Sequence, residues 1–134
     1  MLGYRSGRLR WLGTAGARLD DLLTWLPCRL VMLTLPLVCP PWRNWAQRVR
    51  AAERDGSADP SPNAGRSEAI YAHCIGIQLG GENRYGERLV HKPLLGAGQT
   101  IPNVTLVKSV LKASRRLEIV WISCLVIIQW AISR

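Results

Sequence analysis

The chain has 134 residues, a formal net charge of +9, and four cysteines. This length allows one domain at most. The positive charge would suit a nucleic-acid partner, but zinc-finger spacing, an aromatic-rich sheet signature and a continuous basic helix are missing. We therefore expect no nucleic-acid partner, and we predict contact with anionic lipids and phosphate-bearing ligands instead.

The first apolar segment covers residues about 22–39 and follows a short charged sequence. A helix of this length would extend roughly 27 Å, close to the ~30 Å hydrocarbon thickness of a bilayer. Pro27, Arg29 and Pro36 interrupt the segment. We therefore predict a kinked helix packed against other membrane helices, because freed backbone carbonyls need partners inside hydrocarbon.

Charged residues share one face of this predicted helix. Each of these five residues lies three or four positions from another of the set: Arg18, Asp21, Leu22, Trp25 and Arg29. Ionisable groups at membrane depth cost at least ~2.5–3.5 kcal/mol each, so they often mark a site. The alternative is an interfacial ion pair between Arg18 and Asp21, with Arg29 reaching toward the headgroups.

Residues 42–101 are predicted to form a long polar loop region between two apolar helices. Within it, residues 42–53 have the amphipathic pattern of a surface helix. Residues 67–79 are predicted to form another helix, with Ser67 as its N-cap and the pair Gly80-Gly81 at its end. Residues 82–99 show little periodicity and are predicted to be loop.

A basic amphipathic helix is predicted after Pro102, and it leads into a second apolar segment over residues 117–133. The β-branched residues of this segment would also suit a strand, but its length and continuity with the preceding helix favour a helix. The predicted fold class is mainly α: a helical integral membrane protein fragment with a long polar loop region between two apolar helices.

The cysteines and histidines carry no recognisable motif. No two cysteines have the two-residue spacing of a zinc or redox motif, so we predict that all four are buried small apolar residues. His73 and His91 have no spaced partner for a metal, and we assign neither a catalytic role.

Several short blocks together resemble one known family. They are Met1-Leu2-Gly3-Tyr4-Arg5, Ala17-Arg18-Leu19-Asp20-Asp21-Leu22, Pro27, Arg29-Leu30, Pro60-Ser61-Pro62-Asn63-Ala64-Gly65, Leu79-Gly80-Gly81 and Tyr85-Gly86. In this order and spacing they resemble the CobD/CbiB cobalamin biosynthesis family. The chain departs from the family at Asp59, where His is common, at Thr24, where Asn is usual, and at Arg66-Ser67, where an aromatic-Pro pair is frequent.

The resemblance implies an integral membrane adenosylcobinamide-phosphate synthase, a carbon-nitrogen ligase located in the cell (inner) membrane as a multi-pass protein. Such an enzyme joins adenosylcobyric acid to aminopropanol or its phosphate through an amide bond and consumes ATP with Mg²⁺. Met1 coincides with an internal methionine of the family pattern, so residues 1–134 are expected to be the C-terminal part of the membrane domain. Expected partners are membrane lipid, the corrinoid, aminopropanol phosphate, and either a separate N-terminal half or other cobalamin-pathway enzymes.

The family blocks also suggest site residues. Asp20 and Asp21 are the expected catalytic pair, which would bind Mg²⁺ or orient the amine, because hard cations select carboxylate oxygens. Arg18 and Arg29 would bind phosphate or the substrate carboxylate. Substrate binding is also expected at Ser61, Asn63, Gly65 and Tyr85, although the sequence of the first three, taken alone, is that of a turn.

Two alternatives to the ligase are open. One is a non-enzymatic membrane sensor that resembles the AmpE-type proteins, in which retention of the Asp-Asp and Ser-Pro-Asn blocks would be unexpected. The other is an inactive fragment that lacks the N-terminal half of the family pattern.

Overall fold

The computed structural model describes residues 10–61 and 63–134, without the side chains of residues 10–13, 85 and 88. Most of the described chain is helical, which confirms the mainly α prediction. The helices are α1 (Arg10–Thr34), α2 (Trp45–Gly56), α3 (Ala64–Ile75) and α4 (Val104–Ile132); two short 3₁₀ turns precede α2, and an antiparallel hairpin of β1 (Leu79–Tyr85) and β2 (Arg88–Leu95) follows α3.

Helix α1 contains both the charged sequence and most of the first apolar segment. Pro27 lies inside the helix, which ends at Thr34, and a 3₁₀ turn over Leu35–Leu37 follows. Pro36 lies in the first two positions of that turn, where its missing N–H is tolerated. The predicted segment 22–39 is therefore a helix only as far as Thr34.

The predicted polar loop region, 42–101, contains two helices, as expected, and also a hairpin that was not expected. The helices are α2 and α3, and the hairpin is formed by β1 and β2. Helix α3 begins after Asn63 and ends at Gly76, whose positive φ of 78° lets its N–H bond the carbonyl of Ala72 at 2.9 Å. The predicted N-cap at Ser67 and the predicted end at Gly80-Gly81 are therefore wrong, because this left-handed cap ends the helix one turn earlier.

The predicted loop over residues 82–99 is also wrong, because most of it forms the hairpin. Tyr85 pairs with Arg88, so Gly86 and Glu87 make a two-residue turn, and Gly86 has the positive φ of 62° that such turns favour. The glycine-rich and polar composition of β1 has low strand propensity, which hid the strand from the sequence.

Helix α4 is continuous through the basic segment and the second apolar segment, which confirms the helix over the strand alternative. The Asn103 side chain caps it by accepting a hydrogen bond from the Leu106 N–H at 2.9 Å. Within residues 10–61 and 63–134, no helix combines the length and apolar composition needed to cross a bilayer. The membrane character expected from the sequence thus stays a prediction.

The core lies where α2 and α3 pack together and the turn after α1 closes over them. Leu35, Ala52 and Ile70 are fully buried there, and Ala113 and Leu117 of α4 join the same cluster. Cys28, Cys39 and Cys74 are buried as predicted. The prediction is wrong for Cys124, which is exposed because no described element packs against the last turns of α4.

Candidate functional site

The side chain of Asn63 joins the start of α3 to the middle of α1. Its Nδ2 donates to the Asp21 carbonyl at 2.7 Å and to the Thr24 hydroxyl at 2.9 Å. In return, the Cys28 thiol donates to the Asn63 carbonyl at 3.0 Å. The Ser-Pro-Asn block and the Asp-Asp block, far apart in sequence, therefore meet at one place.

Asn63 is almost completely buried, with only 4% of its surface exposed. Its Oδ1 atom has no hydrogen-bond partner among the described residues. An unpaired buried acceptor costs about 1–3 kcal/mol, so a bound donor or cation there would recover free energy. This atom is the strongest local indication of a ligand.

A cavity of about 360 Å³ lies at this junction. Its lining comes from α1 and from the beginning of α3: Asp20, Thr24, Pro27, Cys28, Val31, Asn63, Ala64 and Ser67. The α1 members recur at steps of three or four residues and so share one helix face. Sequence reasoning gave no role to Thr24 and Cys28, although their helical spacing from Asp20 was the signal that could have found them.

The turn before α3 is held by its own polar side chains. The Ser61 N–H donates to the Asp59 carboxylate at 2.8 Å, and the Ser61 hydroxyl accepts from the Ala64 N–H at 3.3 Å. Ser67 donates from its hydroxyl to the Asn63 carbonyl at 2.9 Å. Ser61 thus orders the loop that presents Asn63, and it does not line the cavity.

Gly65 allows α2 and α3 to approach closely. A Cβ atom at this position would lie 2.4 Å from Cβ of Asp59 and 2.6 Å from the carbonyl oxygen of Gly56. Both distances are below any real contact, so the glycine is needed for packing. Gly65 was predicted to bind substrate; its contacts here are with the protein itself.

An ion pair between α2 and α3 lies next to this contact. The guanidinium of Arg66 binds the Glu53 carboxylate through Nε at 2.8 Å and through Nη2 at 2.6 Å. The hydrogen bonds from Arg66 lower the pKa of Glu53, although burial opposes the shift. The pair fixes the start of α3, and with it Asn63, against α2.

The remaining predicted site residues of α1 are only partly brought together. Asp20 lines the cavity, whereas Asp21 contributes its backbone carbonyl to Asn63. Arg18 is exposed and forms no ion pair with Asp21, so the interfacial ion-pair alternative is wrong. Arg29 places its guanidinium 5.4 Å from the Trp25 ring centroid, a cation–π contact.

Tyr85 lies at the end of β1, and its side chain is outside the described residues. Among the described residues, no three His, Cys, Asp or Glu side chains cluster in a way that could hold a metal ion. The oxygen-bearing side chains in the cavity lining are those of Asp20, Thr24, Asn63 and Ser67.

Comparison with known proteins gives the family. The family model described as CobD/Cbib protein matches residues 1–114, which is most of the chain. The chain belongs to the CobD/CbiB family. The resemblance read from the sequence blocks is thereby confirmed.

Three relatives illustrate the match. Cobalamin biosynthesis protein CobD of Synechocystis is 52% identical over 99 residues, 73% of this chain and 28% of the relative. CobD of Mycobacterium tuberculosis is 39% identical over 117 residues, which cover 86% of this chain and 37% of the relative. CbiB of Salmonella typhimurium is 35% identical over 125 residues, which cover 92% of this chain and 37% of the relative. The chain thus spans about a third of the length of these relatives, and no solved structure matches it.

The departures from the CobD/CbiB pattern are accommodated around the cavity. The Thr24 hydroxyl accepts a hydrogen bond from Asn63, and Asp59 accepts one from the Ser61 N–H. Arg66 pairs with Glu53, and Ser67 bonds the carbonyl of Asn63. Each substituted residue therefore supports the position of Asn63.

Proposed function

We propose that this chain forms part of a cobalamin biosynthesis enzyme that joins adenosylcobyric acid to aminopropanol or its phosphate, with ATP consumed. The observation that carries the proposal is the meeting of the Asp20 face of α1 with Asn63 around one cavity. Family membership supports a role in cobalamin biosynthesis, since the similar proteins are named cobalamin biosynthesis proteins. The ligation reaction itself is part of this proposal.

Amide formation from a carboxylate requires activation, commonly as an acyl phosphate, and transition-state charge must then be neutralised. Asp20 is the carboxylate that reaches the cavity, so it would hold the amine as an ammonium ion or orient it for attack. The Asn63 Oδ1 atom would accept a hydrogen bond from the same group, which relieves its unpaired state. Asp21 would keep Asn63 in place through its backbone carbonyl. The role that the family implies for its carboxylate is binding of Mg²⁺ or orientation of the amine.

Mg²⁺ with ATP fits the oxygen donors of the cavity. Mg²⁺ is usually held by one or two carboxylates together with substrate phosphates, so a cluster of three protein ligands is not required. Asp20 would hold the ion from the cavity wall, whereas the Asp21 side chain does not line the cavity. The orphaned Asn63 oxygen is a further hard donor nearby. When bound, the ion would supply charge neutralisation at the phosphates. Arg18 and Arg29 would bind phosphate or the corrinoid carboxylate from the α1 side.

We further propose a location in the cell membrane. Large apolar side chains remain exposed on α1, including Leu22, Leu23 and Leu26, and on α4 from Ile119 to Ile132. Lipid, or other helices of the same enzyme, would cover these surfaces. A separate polypeptide with the rest of the family pattern, or another cobalamin-pathway enzyme, is the expected protein partner.

A chimaera tests the proposed reaction. The segment of the Synechocystis relative that matches this chain is replaced by this chain's own residues, and membranes are supplied with adenosylcobyric acid, aminopropanol phosphate, ATP and Mg²⁺. Mass spectrometry of the product then measures ligation. We expect product from the chimaera, and a loss of at least tenfold in Asp20→Asn and Asn63→Ala.

Asn44→Ala is the matched control, because Asn44 is exposed and does not line the cavity. It should retain the activity of the unmodified chimaera. A chimaera that accumulates in membranes and yields no product would favour the sensor or inactive-fragment alternatives. Full activity in Asp20→Asn would remove Asp20 from the reaction while leaving the ligase itself standing.

A further inference from the structure

Two buried cysteines from distant parts of the chain line a second cavity. Cys39 follows the 3₁₀ turn after α1, and Cys74 lies in α3. Their residues are 6% and 9% exposed. The cavity, of about 230 Å³, is also lined by Ser109, Lys112 and Arg116 of α4. It shares no lining residue with the Asp20 and Asn63 cavity.

The two thiols line the same cavity, belong to the same buried cluster and have unequal environments. A hydrogen bond from the Cys74 thiol lowers the pKa of Cys39 to about 7; burial opposes this shift, and the charges of Arg48 and Arg116 add to it. The same contact, together with burial, raises the pKa of Cys74. Near neutral pH, Cys39 is therefore partly thiolate while Cys74 carries the proton.

This arrangement has the parts of a two-step thiol oxidation. The thiolate is the reactive form of cysteine, and an accessible thiolate next to a second thiol is the usual arrangement of a redox-sensitive pair. The cavity opens Cys39 to small solutes, and Lys112 and Arg116 provide positive charge beside the sulfur atoms. Neither Cys28 nor Cys124 lines this cavity.

We propose that Cys39 and Cys74 form a reversible dithiol–disulfide site that is oxidised by small hydroperoxides. The Cys39 thiolate attacks the terminal peroxide oxygen and breaks the O–O bond, which gives a sulfenic acid and releases hydroxide from hydrogen peroxide or an alkoxide from an organic hydroperoxide. The Cys74 thiol then attacks the sulfenic sulfur, and the new S–S bond forms as water leaves. Two thiols are oxidised and one hydroperoxide is reduced; a dithiol reductant reverses the change.

The bridge would tie the turn after α1 to α3. These two elements also meet at Asn63, through Asp21, Thr24 and Cys28. Oxidation would therefore lock the relative position of α1 and α3 while leaving the residues of the Asn63 cavity unmodified.

Mass spectrometry of the purified full chain, titrated with hydrogen peroxide, tests the site. We expect the intact mass to fall by two hydrogen atoms, and we expect peptide mapping to find one Cys39–Cys74 cross-link that a dithiol reductant removes. Cys74→Ser should stop at the sulfenic acid, which dimedone traps on Cys39. Cys28→Ser and Cys124→Ser are matched controls and should form the same cross-link as the unmodified chain.

A second measurement needs no variant and so does not depend on the variants folding. The rate of iodoacetamide alkylation of Cys39 in the unmodified protein should rise with a midpoint near pH 7. Cross-links that form at Cys28 or Cys124 instead of between Cys39 and Cys74 would overturn the proposal. A Cys39 thiol that stays reduced after treatment with peroxide would also overturn the proposal.

Discussion

Asn63 makes more tertiary contacts than its turn-like sequence context suggests. One amide nitrogen satisfies an acceptor on the backbone of α1 and another on Thr24, while the carbonyl of the same residue accepts from Cys28 and Ser67. Asn63 itself is buried and its side-chain bonds are partly buried, so water would replace them only in part when the side chain is removed. The residue is thus at once part of the candidate site and a support for the fold.

Replacement of Asn63 by Ala should lower the free energy of unfolding by about 1–3 kcal/mol, because two partly buried hydrogen bonds are lost. Chemical denaturation followed by circular dichroism measures the change. Asn44→Ala, at an exposed position, should change the stability by less than about 0.5 kcal/mol. Equal stabilities of the two variants would contradict the role of Asn63 between α1 and α3.

At the scale of elements, the contact between α2 and α3 depends on two glycines and one ion pair. Gly56 and Gly65 face each other so closely that neither position has room for a side chain. Arg66 and Glu53 then bridge the same two helices. The helices can pack at this distance only because the residues at the contact are small.

The variant Gly65→Ala should destabilise the fold by about 1–3 kcal/mol, as expected for overpacking. The added Cβ would lie 2.4 Å from Asp59, so the turn before α3 must shift. Thermal unfolding measures the effect. Ala58→Ser, on the exposed turn beside it, is the control and should leave the midpoint nearly unchanged. A Gly65→Ala protein as stable as the unmodified chain would show that the helices can separate without cost.

A second cluster joins α2, α3 and the loop after β2. His73 Nε2 lies 2.8 Å from the Asp55 carboxylate, and the Gly96 N–H donates to the same oxygen atom at 3.1 Å. On the other side of the ring, Gln99 Nε2 lies 3.1 Å from His73 Nδ1. Burial raises the pKa of Asp55, but hydrogen bonds from Gly96, His73 and Arg54 outweigh it, and the pKa is lowered overall.

This shift predicts a dependence of stability on acid pH. Because the folded pKa of Asp55 is below its ordinary value of 3.8, its stabilisation is present above that value and is lost as the pH falls through the folded pKa. Asp55→Asn should remove this part of the pH dependence. Denaturation midpoints measured across the acid range test this, with Glu118→Gln, an exposed residue of α4, as the control. An identical acid profile in Asp55→Asn would contradict the prediction.

At the scale of the whole molecule, the described chain has more apolar surface than its own contacts cover. Ile122, Leu125 and Val126 of α4 are more than half exposed, and so are Leu22 and Leu23 of α1. Contiguous apolar surfaces of this kind are uncommon on soluble monomers. The net charge of +9 adds attraction to anionic lipids.

We therefore expect the purified chain to float with vesicles that contain anionic lipid. The double variant Ile122→Lys and Val126→Lys should reduce the bound fraction at least tenfold, since each lysine costs about 2.5–3.5 kcal/mol in an apolar environment. Leu89→Lys, at an equally exposed site on the hairpin, is the matched control. Unchanged flotation of the double variant would assign the binding to charge alone.

Local patterns in the sequence were enough to predict the helices that have clear periodicity. They were also enough to recognise the family. The amphipathic spacing of α2 and the long run of α4 are properties of neighbouring residues, and the CobD/CbiB blocks are recognisable in order. The hairpin was missed because its first strand has low strand propensity, although its two-residue glycine turn was visible.

Only the tertiary structure decided which of these residues meet. Asn63 bonds residues 39 and 42 positions away, and Asp55 bonds the N–H of Gly96, 41 positions away. Cys39 and Cys74, which line one cavity, also come from distant segments. No local periodicity encodes such pairings, because they depend on how the helices pack and on the glycines that let them approach.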